Sequence, residues 1–154
     1  MIRRWTVSTQ GRSSAASDVY RGQEYRPLEL LNISTGLRSP VILVTMSNTG
    51  AVSGDGSTIK GISPRNWRVE TVSGDFTSAL IRLTENGLDG NSLIGRSASQ
   101  SGNYTSAGGS DIGTTITTSS LVSGSILPSY FSTGQSIIKT LYSYQTGNWN
   151  SVTT

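Results

Sequence analysis

Apolar residues in this chain arrive in short pulses, and the clearest of them alternate with a period of two. In Asn66-Trp67-Arg68-Val69-Glu70-Thr71-Val72, the residues Trp67, Val69 and Thr71 fall on one side and Arg68 and Glu70 on the other. In Phe76-Thr77-Ser78-Ala79-Leu80-Ile81-Arg82-Leu83-Thr84, Ala79, Ile81 and Leu83 share the inner side, with Arg82 and Thr84 outside. A pleated strand turns successive side chains to opposite faces, so both segments read as half-buried strands. Ser73-Gly74-Asp75 between them is turn material, and the pair is expected to form a hairpin.

Other pulses extend the pattern. Trp5-Thr6-Val7 is a short strand, followed by a polar loop from Gly11 to Ser17. Arg26-Pro27-Leu28-Glu29-Leu30-Leu31-Asn32-Ile33 is another, with Pro27 near its start, where a missing donor is tolerated. The unbroken run Val41-Ile42-Leu43-Val44-Thr45-Met46 suits a central strand covered on both faces. Thr58–Ile62 is a weak strand, and Ser92–Ser97, Asn103–Ala107, Thr114–Thr118 and Ser129–Ser132 follow between Gly-rich turns. Short strands at that rhythm predict an all-β fold: an antiparallel two-sheet β-sandwich of Ig-like or Greek-key type. The expected core is Leu28, Leu30, Val41, Leu43, Trp67, Val69, Ile81, Leu83 and Phe131. The expected organisation is a leading strand and loop over 1–19, in the manner of the end of a preceding module. A sandwich over 20–134 follows, then a linker and the start of a following module over 135–154.

Composition narrows the function classes. The 154 residues amount to one ordinary domain. They include 27 Ser, 19 Thr and 18 Gly, with only 14% charged and 34% hydrophobic. That scarcity of strong helix formers argues against a helical bundle, and a net charge of only +3 argues against disorder. There is no Cys and no His. Thiol chemistry, zinc and haem sites, Ser-His-Asp triads and imidazole proton shuttles therefore lose their usual donors. The sequence pI is about 9.5, yet the ten Arg and two Lys are spaced out, with no run longer than Arg3-Arg4. A nucleic-acid footprint needs clustering on one face, so no nucleic-acid partner is expected. No stretch approaches the ~20 apolar residues of a membrane span. Met1-Ile2-Arg3-Arg4 has a basic start, but the chain turns polar before the apolar core of a signal peptide can develop.

Few residues invite a ligand. Tyr20, Tyr25 and Tyr104 lie near loops and are the candidates for stacking against a sugar ring. Asp89 and Asn91, in Glu85-Asn86-Gly87-Leu88-Asp89-Gly90-Asn91, have the spacing of a Ca²⁺ loop, without the downstream Glu that would complete an EF-hand. Turn formers at a strand end explain that segment equally well. Glu70, Asp75 and Glu85 flank one expected hairpin, and a glycosidase-like carboxylate pair could be drawn from them. Solvated charges paired with Arg68 or Arg82 are the plainer reading. Asn32-Ile33-Ser34 and Asn103-Tyr104-Thr105 match the glycosylation sequon, as chance alone predicts in a chain so rich in hydroxyls. Arg3-Arg4-Trp5-Thr6-Val7 and Arg65-Asn66-Trp67-Arg68-Val69 share R-x-W-x-V, a partial echo that two related half-units would produce.

Three segments in order, Tyr25-Arg26-Pro27-Leu28-Glu29-Leu30, Arg65-Asn66-Trp67-Arg68-Val69 and Gly74-Asp75-Phe76-Thr77-Ser78-Ala79, resemble a β-sandwich module of large exported Bacteroidetes surface proteins. Asn91-Ser92-Leu93-Ile94-Gly95-Arg96-Ser97, Ser101-Gly102-Asn103-Tyr104-Thr105-Ser106 and Tyr130-Phe131-Ser132-Thr133-Gly134 continue the likeness, which spans about Tyr20 to Gly134. Such proteins are often type IX secretion cargo: adhesins, gliding and matrix proteins, or modular enzymes. The resemblance implies an extracellular or cell-surface location and an internal segment of a longer chain. Gly147-Asn148-Trp149-Asn150 looks like the opening of the next module. The family assigns no catalytic residues to such a module.

The expected function is therefore a non-enzymatic structural or adhesive module. Its partners would be neighbouring modules of the same chain, with cell-surface glycans or self-association as further partners. A carbohydrate-binding module attached to a secreted enzyme is one alternative. Another is a self-assembling fibre or capsid subunit that exchanges Met1–Ser8 or Ile137–Tyr144. No cofactor is expected apart from Ca²⁺ at Asp89 and Asn91.

Overall fold

The computed structural model describes residues 2–6, 13–15, 26–48, 53–137, 140–145 and 148–153. The strands are β1 (Ile2–Thr6), β2 (Ser13–Ala15), β3 (Leu28–Thr35), β4 (Val41–Ser47), β5 (Ser53–Gly54), β6 (Ile59–Lys60), β7 (Asn66–Ser73) and β8 (Phe76–Thr84). They continue with β9 (Ser92–Ser97), β10 (Asn103–Ser106), β11 (Ser110–Ile112), β12 (Thr115–Thr117), β13 (Val122–Ser123), β14 (Ser129–Ser136), β15 (Thr140–Gln145) and β16 (Asn148–Thr153). One sheet runs in the order β1-β4-β7-β14-β9-β10-β5, with β6 beside β14. The other runs β11-β12-β8-β3-β2, with β13 beside β8. Neighbours are antiparallel, apart from the two-residue parallel contact of β5 with β10. The fold is the antiparallel two-sheet β-sandwich that the alternation predicts.

Its interior draws on both layers. Leu28 and Leu30 of β3, Ala79, Ile81 and Leu83 of β8, and Ile116 and Val122 come from one sheet. Ile42, Val44 and Met46 of β4, Trp67 and Val69 of β7, Ile94 and Phe131 come from the other. Seven of the nine expected core residues are buried there. Val41 and Leu43 are not: they are half-buried, and β4 turns Ile42, Val44 and Met46 inward instead. An unbroken apolar run carries no period-two signal, so its inner face has to be set by its neighbour. Val44 sits opposite Val69 and Met46 opposite Trp67, and directly opposed residues share a face.

The expected β7–β8 hairpin is also corrected, because the two strands lie in different sheets. Ser73-Gly74-Asp75 carries the chain across the sandwich rather than back along one sheet. The connection from β3 to β4 makes a second crossing of the same kind, and the two are tied together. Gly36 N–H donates to the Asp75 carbonyl at 2.8 Å, and Asp75 N–H to the Arg38 carbonyl at 2.9 Å. The Asp75 carboxylate takes Arg38 Nη2 at 2.8 Å and the Arg38 backbone N–H at 3.0 Å. A hairpin and a crossing show the same alternation, since either one buries Trp67, Val69, Ile81 and Leu83.

Gly74 makes that close approach possible. Its φ is +80°, and a Cβ there would lie 2.2 Å from the Ser39 carbonyl oxygen. Gly74→Ala is therefore expected to cost about 2 kcal/mol or more, combining left-handed strain with a backbone clash. Gly87→Ala, at φ +74° with open space around it, should cost only about 1 kcal/mol. Urea melts of the two variants check the contrast.

The two R-x-W-x-V segments both flank β4. Trp5 pairs with Ile42 and Trp67 with Met46, so they occupy different heights along that strand. Pairing also draws Ile2–Thr6 and Ser13–Ala15 into the two sheets, and β14 carries the sandwich on to Ser136.

Candidate functional site

Among the described residues, charged groups converge at the end of the sandwich where β8 finishes. Glu85 follows β8 directly, Arg26 precedes β3 and Arg65 precedes β7. Glu85 Oε1 accepts from Arg65 Nη1 at 2.6 Å and from the Asn86 backbone N–H at 3.0 Å, and Arg26 Nε lies 3.6 Å away. The three side chains are only 11–18% exposed. Arg65 Nε also donates to Asn48 Oδ1 at 3.0 Å. The segment leading to Arg65 is fixed from β14, where Ser132 Oγ sits 2.9 Å from the Ser63 carbonyl and 2.6 Å from the Arg65 carbonyl. Beside this cluster is a polar cavity of about 320 Å³ bordered by Asn48, Ser63, Pro64, Arg65, Glu85, Asn86 and Thr133. Glu85 Oε2 is buried and has no hydrogen-bond partner among the described residues. The set offers amide and guanidinium donors around one carboxylate, and it links the start of β3, the start of β7 and the end of β8. Arg26 and Arg65 gave no such sign in the sequence, because residues far apart in the chain carry the contacts.

The other carboxylates are spread out. Glu70 pairs with Arg68 at 2.5 Å on the outer face of β7, Glu29 pairs with Arg82 between β3 and β8, and Asp75 sits in the crossing with Arg38. Asp75 and Glu85 stand at opposite ends of the nine-residue β8, roughly 30 Å apart at about 3.3 Å per residue. Retaining and inverting glycosidases hold their carboxyls within about 10 Å. The neighbouring Arg38 holds the Asp75 carboxyl below the usual carboxylate range, mainly through its side-chain hydrogen bond.

Asp89 and Asn91 are next to each other in space, but as parts of a turn. Asp89 Oδ1 accepts from the Asn91 backbone N–H at 2.9 Å, and Ser92 N–H donates to the Asp89 carbonyl at 2.9 Å. Among the described residues, no group of three or more acidic, His or Cys side chains is placed to hold a metal ion. Asp55 makes a more complete loop of this type. Its Oδ1 takes the backbone N–H groups of Ser57, Thr58 and Ile59 at 2.9, 2.7 and 3.2 Å, and its Oδ2 takes the Thr58 hydroxyl at 2.5 Å. The Thr58 hydroxyl, followed by these amides, pushes the carboxyl far below its ordinary value. Gly54-Asp55-Gly56-Ser57-Thr58 is the signal for it, as an Asp followed by donors two and three residues on makes an Asx turn.

The stacking candidates fare differently from expectation. Tyr20 and Tyr25 lie outside the described residues. Tyr104 is a correction: its ring is 0% exposed, and its hydroxyl donates to the Gln100 carbonyl at 3.1 Å, so it offers no platform to a ligand. Strand β10 alternates, and Tyr104 falls on its inner face. Burial pushes the phenol up to about 12. A folded pKa above the unfolded value near 10 favours the neutral phenol in the fold. Its contribution to stability is thus complete below about pH 10 and is lost as pH rises toward 12. An absorbance titration at the tyrosinate band should show one tyrosine lagging the rest, and Tyr104→Phe should remove that late phase.

Five of the arginines whose side chains are described, Arg26, Arg38, Arg65, Arg68 and Arg82, pair with carboxylates. Arg96 instead donates to Ser129 Oγ at 2.9 Å and to the Ile126 carbonyl at 3.2 Å. Among the described residues, no helix is long and apolar enough to cross a membrane. The fold and these contacts define a charge-fastened β-sandwich. No protein-family model matches the chain, and no curated protein or solved structure is significantly similar to it.

Proposed function

We propose that the chain is a non-catalytic structural or adhesive module of a multidomain protein at a bacterial cell surface, where it spaces or presents neighbouring modules. The observation that carries the reading is the use made of the acids. Of the nine in the chain, Asp18 and Glu24 lie outside the described residues. Six of the remaining seven are committed to the fold. Glu29, Glu70, Asp75 and Glu85 are paired with arginines, and Asp55 and Asp89 cap their own loops. Carboxylates held this way fix strand ends, loops and crossings. The placement at a cell surface rests on the resemblance of the Arg65–Val69 and Gly74–Ala79 segments to modules of exported Bacteroidetes proteins.

Antibody labelling of cells that express the parent protein tests the location. Intact cells should label before permeabilisation, and labelling that appears only after lysis would remove the surface role. A glycan array run with the purified chain tests the module type. Saturable binding to a defined glycan would replace a structural role with carbohydrate recognition.

A further inference from the structure

Strands β15 and β16 pair with each other from Thr140↔Thr153 to Gln145↔Asn148. Among the described residues, they pair with no strand of either sheet. A two-stranded hairpin alone is marginal in water, and it needs further strands or a packed layer to persist. Residues 140–153 contain no Asp, Glu, Lys, Arg or Pro.

The sandwich treats its own edges in the opposite way. Its outermost strands are short, three residues each in β2 and β11 and two in β5, or they carry charge, with Arg3 and Arg4 in β1 and Asp111 in β11. Shortness and charge are the usual defences against edge-to-edge pairing. The hairpin has neither. Its strands are six residues long, uncharged, and rich in Thr, Tyr, Trp and Val, which favour strands.

We infer that the β15–β16 hairpin is a self-association edge, completed by the same hairpin of a second copy of this chain through antiparallel strand pairing. An antiparallel edge is self-complementary across a twofold axis, so one surface serves both copies. The chain carries a net charge of +3, and an uncharged segment is where two copies meet with the least repulsion. The same lack of charge leaves nothing to select an acidic, basic or nucleic-acid partner. This role goes beyond spacing modules, since it joins one chain to another, and it stands or falls independently of a surface location.

Sedimentation velocity of the full chain over a roughly hundredfold concentration range is the test. The wild-type mass should rise from monomer toward dimer. Ser143→Lys with Ser151→Lys, one charge in each strand, should weaken association at least about tenfold and leave the melt of the sandwich unchanged. Ser143→Thr with Ser151→Thr should associate as the wild type does. A wild-type chain that stays monomeric throughout overturns the inference. Association that the lysines leave intact also overturns it, and would point to exposed Leu37 or Ile112 (103% and 79% exposed). A lysine variant that dissociates only because its sandwich melts early would count against it too, by making the hairpin part of the monomer's own stability.

Discussion

Trp67→Ala is expected to lower the stability of the sandwich by about 3–5 kcal/mol. Trp67 is 1% exposed and lies on β7 between β4 and β14, where Met46 and Phe131 are its direct partners. Its Nε1 donates to the Arg26 carbonyl at 3.2 Å. Truncation would leave a cavity between the layers and also remove that hydrogen bond to Arg26, whose side chain belongs to the Glu85 cluster. Loss of the ring should thus be felt at both the core and the charged end. Trp67→Phe keeps much of the volume and loses the N–H, so it should recover more than half of the loss. Chemical denaturation of the three proteins checks the order. A Trp67→Ala chain that melts like the wild type would mean that β7 presents its other face to the core.

Glu85→Ala is expected to cost about 3 kcal/mol. It would leave Arg26 and Arg65, 11% and 18% exposed at their side chains, without their shared carboxylate. Removing a carboxylate partner from largely buried guanidinium groups is costly because water does not readily take its place. Glu85→Gln keeps an oxygen for Arg65 and the Asn86 N–H, and it should cost less than Glu85→Ala. Asp75→Ala offers the comparison at an exposed pair. Its partner Arg38 is 76% exposed at the side chain, and surface pairs contribute little. Thermal melts should therefore rank Glu85→Ala well below Asp75→Ala. Equal losses would mean that the Glu85 cluster is open to solvent.

Much of the architecture was legible in the residues because period-two alternation reports burial on one face. Trp67, Val69, Ile81 and Leu83 are buried as that pattern requires. What alternation does not report is which strand lies alongside. Ser73-Gly74-Asp75 reads as a hairpin turn, yet it crosses between sheets because Gly74 is packed on Ser39 and Asp75 is bound to Arg38. Those partners lie more than thirty residues upstream and leave no local mark. Val41–Met46 shows the same limit, since a uniformly apolar run can turn either face inward until Val69 and Trp67 set its register. The charged cluster was the least legible part. Glu85 reads as a turn residue or as one of three carboxylates flanking a hairpin, while Arg26 and Arg65 read as ordinary solvated cations. Tyr104, placed near a loop by its neighbours, is buried because β10 is itself a strand of the sandwich.

Two layers are joined by paired crossings, with β7 beside β4 and β8 beside β3. Cross-strand nuclear Overhauser effects between backbone protons of the folded chain report this arrangement. Contacts should connect Val44 with Val69 and Leu30 with Ile81, the directly opposed pairs of the two sheets, with no ladder between β7 and β8. A continuous ladder of contacts joining β7 to β8 across Gly74 would instead mean a simple hairpin within one sheet.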